Sequence, residues 1–168
     1  MKNEPREIGY LTYDVLKKKI GLPSRERLAK GPVAIIECIE DIPCDPCVEA
    51  CKLGAISKAS LTTPPDIDYE KCTGCASCVD VCPGLAIFVI NMNYREGKAL
   101  VSIPYEMPPA PKRGERVDAL DRSGKKIGVG KIVKVRKGRG ATFVVSVTIG
   151  KDLAMEARSI RIQGEINE

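Results

Sequence analysis

Eight cysteines in two groups of four constrain this 168-residue chain more than any other feature of its sequence. The second group is Cys72, Cys75, Cys78 and Cys82, followed by Pro83. Its C-x2-C-x2-C-x3-C-P spacing is that of bacterial proteins that bind iron–sulfur clusters. In these proteins, three closely spaced thiolates of one loop bind three irons of one cluster. The spacing therefore predicts a [4Fe-4S] cluster around which the neighbouring chain folds.

The first group is less regular. Cys38 is separated from Cys44 by five residues, whereas Cys44, Cys47 and Cys51 keep the gaps of two and three residues. Both groups run into similar tails, Cys-Lys-Leu-Gly-Ala-Ile and Cys-Pro-Gly-Leu-Ala-Ile. The two groups thus form an internal repeat of about 30 residues, and such a repeat predicts two related structural units.

In two-cluster proteins with this spacing, the fourth cysteine of each group binds the other cluster. The spacing therefore predicts two [4Fe-4S] clusters with crossed ligands. Cluster 1 would be bound by Cys38, Cys44, Cys47 and Cys82. Cluster 2 would be bound by Cys72, Cys75, Cys78 and Cys51. Plausible backbone N–H donors to the sulfurs are those of Thr73, Gly74, Ala76 and Gly84.

Two other uses of the cysteines compete with clusters. Disulfides require an oxidising compartment, and the chain begins without a charged and apolar export signal. Zinc is the stronger rival, because two C-x2-C pairs can build a site of four thiolates. However, zinc sites use two pairs, whereas the second group has three cysteines at the same short gap and a fourth beyond them.

Two departures from the motif affect individual ligands. Lys52 follows Cys51 where the motif usually has proline, which makes Cys51 a less certain ligand than Cys82. The lysine places positive charge beside cluster 2, so we expect it to raise that cluster's reduction potential. The long gap after Cys38 leaves open a second possibility, in which Cys38 is a core residue and its cluster has only three irons.

Composition removes several kinds of chemistry. The chain has no histidine, which excludes haem–histidine and Rieske sites and most zinc hydrolases. No acid–base pair or nucleophile constellation is visible apart from the cysteines, so we expect no catalysis by this chain alone. No apolar run approaches the roughly 20 residues of a membrane span. Unprotected clusters and the missing export signal predict the cytoplasm, and specifically that of an anaerobe.

Local patterns predict an α+β fold, in which a bacterial-type two-cluster ferredoxin-like domain precedes a small antiparallel β-sheet or barrel. Thr12 and Ser24 are predicted to cap helices over 13–19 and 25–30. Strands are expected at 33–38, 55–58, 66–69, 86–91, 99–104, 116–121, 125–135, 141–149 and 158–162, with helical turns after Pro46 and Ala76. The predicted division is an N-terminal helical segment 1–31, the cluster domain 32–98 and a β-rich docking domain 99–168, with a stiff linker near 105–111.

The charge is unevenly distributed. Residues 112–168 contain 14 Lys and Arg against 7 Asp and Glu, a net charge of +7, and residues 1–111 contain 13 against 15, a net charge of −2. The basic stretch 125–139 could bind nucleic acid, but single-strand binding also uses exposed aromatic side chains, and only Phe143 lies nearby. An acidic protein partner is therefore expected ahead of nucleic acid.

Residues 31–51, 78–87 and 116–121 resemble the ferredoxin-like subunits of FAD-dependent amino-acid dehydrogenase complexes of the proline, hydroxyproline and opine type. The resemblance extends from about residue 21 to 162, and its most specific part is the extended Ile-Pro-Cys-x-Pro-Cys loop. It implies a hetero-oligomer in which a flavoprotein oxidises the amino acid and this chain passes single electrons to a downstream acceptor. A free-standing ferredoxin and a nucleic-acid-binding module with structural clusters are the alternatives.

Overall fold

The computed structural model describes residues 5–138 and 140–163. Its helices are all short: α1 Pro5–Ile8, α2 Tyr13–Lys19, α3 Arg25–Lys30, α4 Pro46–Ala50 and α5 Ser77–Val81, with a 3-10 turn at Lys151–Leu153. Its strands are β1 Val33–Ile36, β2 Ile56–Ser57, β3 Asp66–Ile67, β4 Ile87–Arg95, β5 Lys98–Tyr105, β6 Arg116–Leu120, β7 Lys126–Lys137, β8 Phe143–Gly150 and β9 Ser159–Ile162. The chain is mostly sheet with few helices.

The two helices predicted near the N-terminus, α2 and α3, are confirmed together with their caps. The Thr12 hydroxyl accepts a hydrogen bond from the Val15 N–H at 3.4 Å, and the Ser24 hydroxyl accepts one from the Arg27 N–H at 3.1 Å. Each cap satisfies a backbone donor that the first helical turn leaves free. The caps define where these short helices of six and seven residues begin.

Seven strands form one antiparallel sheet in the order β1-β4-β5-β8-β7-β6-β9, and β2 and β3 form a separate ribbon. The predicted strands of the C-terminal region are confirmed to within about two residues at most ends. β4 is longer than expected, because it continues into a tight hairpin with β5. β5 pairs with β8 along its whole length, from Lys98 opposite Gly150 to Tyr105 opposite Phe143.

β1 and the first four residues of β4 are buried on both faces and join two cores. Alternate residues of a strand point to opposite faces of its sheet. Ala34 and Ile36 pack in a core beneath the cysteine loops, whereas Ile35 packs in a larger core formed by the C-terminal strands. The residue after β1, Glu37, accepts a hydrogen bond at 2.6 Å from Arg158, the residue before β9, so the two edge strands of the sheet approach one another at these ends.

The 105–111 segment connects strands of the same sheet. Tyr105 ends β5 and is buried, residues 106–110 are exposed, and β6 begins at Arg116. Strands on both sides of this segment therefore belong to one hydrogen-bonded sheet. The ferredoxin-like domain, the separate small sheet or barrel and the division at residues 31 and 98 stay predictions.

Candidate metal centres

The two cysteine groups have the same local structure. In each, the third cysteine lies in a five-residue helix, Cys47 in α4 and Cys78 in α5, and is buried. The fourth cysteine, Cys51 or Cys82, is the first residue beyond that helix. A short helix followed by a turn thus carries the last thiol of each group away from the preceding three. The repeat seen in the sequence is a repeat of structure.

Four thiols line one cavity of about 280 Å³, which we call site 2: Cys51, Cys72, Cys75 and Cys78. The pKa of Cys78 is raised to about 12 by burial and, to a smaller degree, by the neighbouring thiols of Cys72, Cys75 and Cys51. Cys51 therefore lies with the second group, although it belongs to the first group in sequence. Ligation to a metal supplies the positive charge that such crowded thiolates need.

The remaining four thiols surround site 1, formed by Cys38, Cys44, Cys47 and Cys82. A cavity of about 400 Å³ is lined by three of them, and the fourth, Cys47, is buried. Burial raises the pKa of Cys82, and the neighbouring thiols of Cys38 and Cys44 raise it further. Burial likewise raises the pKa of Cys47, with Cys82 and Cys44 as its interacting neighbours. The structure thus brings together, at each site, the same four thiols that the crossed-ligand prediction names.

Backbone N–H groups donate to three of the sulfurs. The Ala55 N–H lies 3.2 Å from the Cys51 sulfur, and the Ala86 N–H lies 3.5 Å from the Cys82 sulfur. These bonds occupy the same place in both repeats, four residues beyond the cysteine. A third, from the Ala34 N–H of β1 to the Cys72 sulfur, measures 3.4 Å. Such bonds stabilise a negatively charged sulfur.

Of the four donors expected from the sequence, the Gly84 backbone acts on Cys82 by lowering the pKa of that thiol, which partly offsets the effect of burial. The alanine donors were missed, although the repeated Cys-x3-Ala spacing was a signal that could have located two of them. Gly74 has a different role. It has a φ of +65°, and an added Cβ would lie 2.6 Å from the Pro32 Cβ and 2.7 Å from its carbonyl carbon. Gly74 therefore lets the site 2 loop press against the start of β1.

A buried arginine holds the backbone beside site 2. Arg27 of α3 is 7 % exposed, and its guanidinium donates to four carbonyl oxygens. The acceptors are those of Tyr69 at 2.5 Å, Cys72 at 2.5 Å, Pro32 at 3.2 Å and Gly31 at 3.3 Å. All four acceptors are neutral, and no ion pair of Arg27 occurs among residues 5–138 and 140–163, so these residues leave its positive charge unpaired beside the Cys72 backbone. Sequence reasoning missed this residue, because an arginine in a short helix usually lies at the surface.

A buried ion-pair network lies beside site 1. Glu37 immediately precedes Cys38, and its carboxylate accepts from Arg122 at 2.6 and 2.9 Å and from Arg158 at 2.6 Å. Arg122 also pairs with Glu156 at 2.8 Å. Arg158 stacks on the Phe88 ring, with its Cζ 4.9 Å from the ring centroid. This network attaches the β6–β7 turn and the start of β9 to the first cysteine loop, and no local sequence pattern indicated it.

Arg136 links the basic strand β7 to site 2. Its guanidinium donates to the Asp80 carboxylate at 2.9 Å and to the Ala76 carbonyl at 3.0 Å. The pKa of Cys75 is lowered, chiefly by the Ser77 hydroxyl, with a smaller effect from the Arg136 charge. One cation of the predicted basic stretch is therefore engaged at the cysteine loop. Lys52 also lines the site 2 cavity and is exposed.

The arrangement of the thiols distinguishes a cluster from a single zinc ion. Among residues 5–138 and 140–163, no three His, Cys, Asp or Glu side chains lie close enough together to bind a single metal ion. A [4Fe-4S] cluster spreads its four thiolates over four irons, so they lie further apart than the ligands of one zinc ion. Four thiols around an apolar cavity, with N–H donors to sulfur, fit a cluster better than zinc.

Comparison with known proteins supports this assignment in general terms. Residues 65–88 match the model of the 4Fe-4S binding domain family, and this range contains all four cysteines of the second group. No curated protein and no solved structure matches the chain. No helix within the described residues has the length and apolar character needed to cross a membrane. The chain contains a 4Fe-4S binding domain, which indicates an iron–sulfur protein with a role in electron transfer.

Proposed function

We propose that this chain is an electron-transfer subunit with one [4Fe-4S] cluster at site 1 and a second at site 2. The observation that carries the proposal is the crossed placement of Cys51 and Cys82. Each thiol lies with the three cysteines of the other group, as in two-cluster ferredoxins. This arrangement joins the sites through two short stretches of chain, and it therefore keeps the clusters close enough for an electron to pass between them.

The protein's part in this function is to position and tune the clusters. An oxidised [4Fe-4S] cluster with four thiolates carries a net charge of about −2. Positive groups near it favour the additional electron. Arg27 and Arg136 supply such charge near site 2, and N–H groups donate to sulfurs at both sites. No substrate chemistry is assigned to the chain itself.

We propose a flavoprotein dehydrogenase of the amino-acid type as the electron donor, in a cytoplasmic hetero-oligomer. The support is the resemblance of residues 31–51, 78–87 and 116–121 to subunits of such complexes. The proposal also has a chemical basis, because a flavin accepts two electrons from a substrate and iron–sulfur clusters remove them one at a time. The continuous sheet and the buried Glu37 network favour a permanent subunit, since they build a larger body around the clusters than a mobile carrier needs.

The test is anaerobic isolation of the tagged chain from its own host, followed by iron, sulfide, zinc and flavin analysis. We expect about eight irons and eight sulfides per chain and a flavin-containing subunit that is retained in high salt. Eight irons without a partner would favour a free-standing ferredoxin. Stoichiometric zinc in place of iron would contradict both.

Two double variants test whether the chain binds one cluster or two. Cys75→Ala combined with Cys78→Ala removes two ligands of site 2 only, so about four irons should remain per chain. The matched double variant, Cys44→Ala with Cys47→Ala, removes two ligands of site 1. It should also leave about four irons, and the remaining electron paramagnetic resonance signal should be that of the cluster at site 2. Loss of all iron in both pairs would contradict two separable clusters, provided that circular dichroism shows the sheet is retained.

A further inference from the structure

A basic groove runs across one face of the sheet and ends at site 2. It consists of three adjoining depressions over β4, β5, β8 and β7. The first two share Lys131 and Thr148, and the second and third share Leu100 and Lys134. The third is also lined by Gly74, Cys75 and Ala76. The groove follows β7 from Lys131 to Arg136, a distance of about 17 Å at 3.3 Å per residue.

The groove has a high density of free positive charge. Six cations line its first two depressions: Arg95, Lys98, Arg113, Arg116, Lys131 and Lys134. All six are exposed, and within residues 5–138 and 140–163 none of them forms an ion pair. Within the part of the chain that the structure describes, no aspartate or glutamate lines any of the three depressions. By contrast, Lys126 and Arg161 both form ion pairs with Asp118 of β6.

The floor of the groove is shallow and fixed. At Gly130 an added Cβ would lie 2.4 Å from Val147 Cγ1, so β7 packs closely against a core side chain of β8 at this point. Ser102 and Ser146 are buried and hydrogen-bonded to each other at 2.8 Å. A shallow, rigid floor lined by long cations fits the surface of another macromolecule better than a small molecule, which needs an enclosing pocket.

The groove ends at Cys75, the exposed thiol among the four of site 2. A partner seated in the groove would therefore lie over the most accessible edge of cluster 2. We infer that the basic groove is the docking site for the acidic face of a one-electron carrier protein, which exchanges electrons with site 2. This inference rests on the proposed cluster at that site.

The exchange balances without bond changes. A reduced cluster held at site 2 by Cys51, Cys72, Cys75 and Cys78 would lose one electron, and the oxidised centre of the carrier would gain that electron. No proton or group is transferred. Complementary charge accelerates the encounter and orients the carrier, which is the main contribution of exposed charges at such interfaces.

A nucleic acid is the other macromolecule that unpaired cations attract. Binding of single strands also uses aromatic faces on which bases stack. Tyr94 is the aromatic residue of the groove, and Arg95 already covers its ring, with its Cζ 5.2 Å from the centroid. The side chains that line the groove therefore favour an acidic protein.

The test uses the cluster-loaded chain, an acidic two-iron ferredoxin as the probe, and charge reversal. Lys131→Glu with Lys134→Glu changes the groove, whereas Lys17→Glu with Lys18→Glu makes the same charge change on exposed residues of α2. We expect the groove variant to weaken binding, measured by calorimetry, at least tenfold more than the α2 variant. Electron exchange, measured by anaerobic stopped flow, should slow by a similar factor at low salt and converge with the unaltered chain at high salt.

Equal effects of the two variants, or no effect of either, would overturn the docking site. Tighter binding of a single-stranded oligothymidylate than of the acidic ferredoxin, with the same loss in the groove variant, would also overturn it in favour of nucleic acid. Iron and sulfide are counted in every sample. An unaltered chain without clusters would refute the proposed function, while the calorimetric comparison would still decide whether the groove binds acidic protein.

Discussion

Sites 1 and 2 are built from the same repeat but are stabilised in different ways. At site 2 the cysteine gaps are regular, Gly74 packs closely on Pro32, and Arg27 donates only to neutral carbonyls. At site 1 the loop after Cys38 is longer, and support comes from Glu37 with two arginines of the C-terminal region. A compact loop can be held by its own backbone and one nearby helix. A longer loop requires contacts from distant parts of the chain, which here come from 85 and 121 residues away.

The largest expected effect is a loss of stability when the ion-pair network beside site 1 is broken. Glu37→Gln removes the carboxylate between Arg122 and Arg158 and leaves buried positive charge without its partner. Breaking a buried ion pair in this way costs about 3–5 kcal/mol. We expect a loss of that size in the free energy of unfolding, measured by anaerobic guanidinium titration, together with loss of iron from site 1 before site 2.

The control for Glu37 is Glu70→Gln, which breaks the exposed pair with Lys30 at 2.7 Å. Exposed pairs of this kind contribute about 0–1 kcal/mol. If the two substitutions had equal effects, the Glu37 network would not be what supports site 1, and the comparison between the sites would fail.

The second largest effect is a loss of stability when the close approach of the site 2 loop to Pro32 is disturbed. Gly74→Ala introduces a Cβ that overlaps Pro32, in a left-handed conformation that alanine disfavours. We expect a loss of about 2–4 kcal/mol in the free energy of unfolding, with a drop in the iron content of site 2.

Gly97→Ala is the matched control for Gly74, because Gly97 also has a φ of +65° but no atom within 4 Å of an added Cβ. It measures the conformational cost alone, about 1–2 kcal/mol. A Gly74 variant no less stable than the Gly97 variant would show that the approach to Pro32 is not required.

A smaller effect should appear in the reduction potential and not in stability. Arg136→Gln removes a positive charge that contacts the Ala76 carbonyl and Asp80 beside site 2. We expect the potential of cluster 2 to fall and that of cluster 1 to stay unchanged, as measured by a redox titration followed by electron paramagnetic resonance. Lys126→Gln, which breaks the ion pair with Asp118, is the control and should leave both potentials unchanged.

The smallest effect is expected from Lys52→Glu. Lys52 lines the site 2 cavity but is exposed, so solvent and salt screen its charge. The substitution should lower the potential of cluster 2 by less than Arg136→Gln does, and the shift should shrink as salt is raised. An unchanged titration at low salt would remove Lys52 from the residues that tune the cluster.

Much of the local structure could be predicted from the sequence. The caps Thr12 and Ser24 and the helices that follow them have strong local signals, and they are confirmed. The strands of the C-terminal region were also located, because runs of valine and isoleucine between glycine turns have few other interpretations. The cysteine spacing predicted which thiols lie together, and the structure places them in those sets. That these sets bind two clusters remains a prediction.

The groove and the buried arginines could not be predicted in this way. The basic stretch was visible, but the sequence does not say which of its cations are paired. Arg136 is engaged with Asp80, whereas Lys131 and Lys134 form no ion pair with any described residue and lie beside Arg95 and Arg113 from other parts of the chain. Such a surface exists only after β4, β5, β7 and β8 are placed side by side.

The sequence by itself indicated 4Fe-4S chemistry, because the thiol spacing of the second cysteine group is typical of such a ligand set. It also determined the repeat and most of the secondary structure, which depend on neighbouring residues. The tertiary structure decided how the two cysteine regions are supported and how the positive charge is arranged. Ion pairs such as Glu37 with Arg158 join residues far apart in the chain, and pairing or burial of a charge depends on what the fold brings next to it.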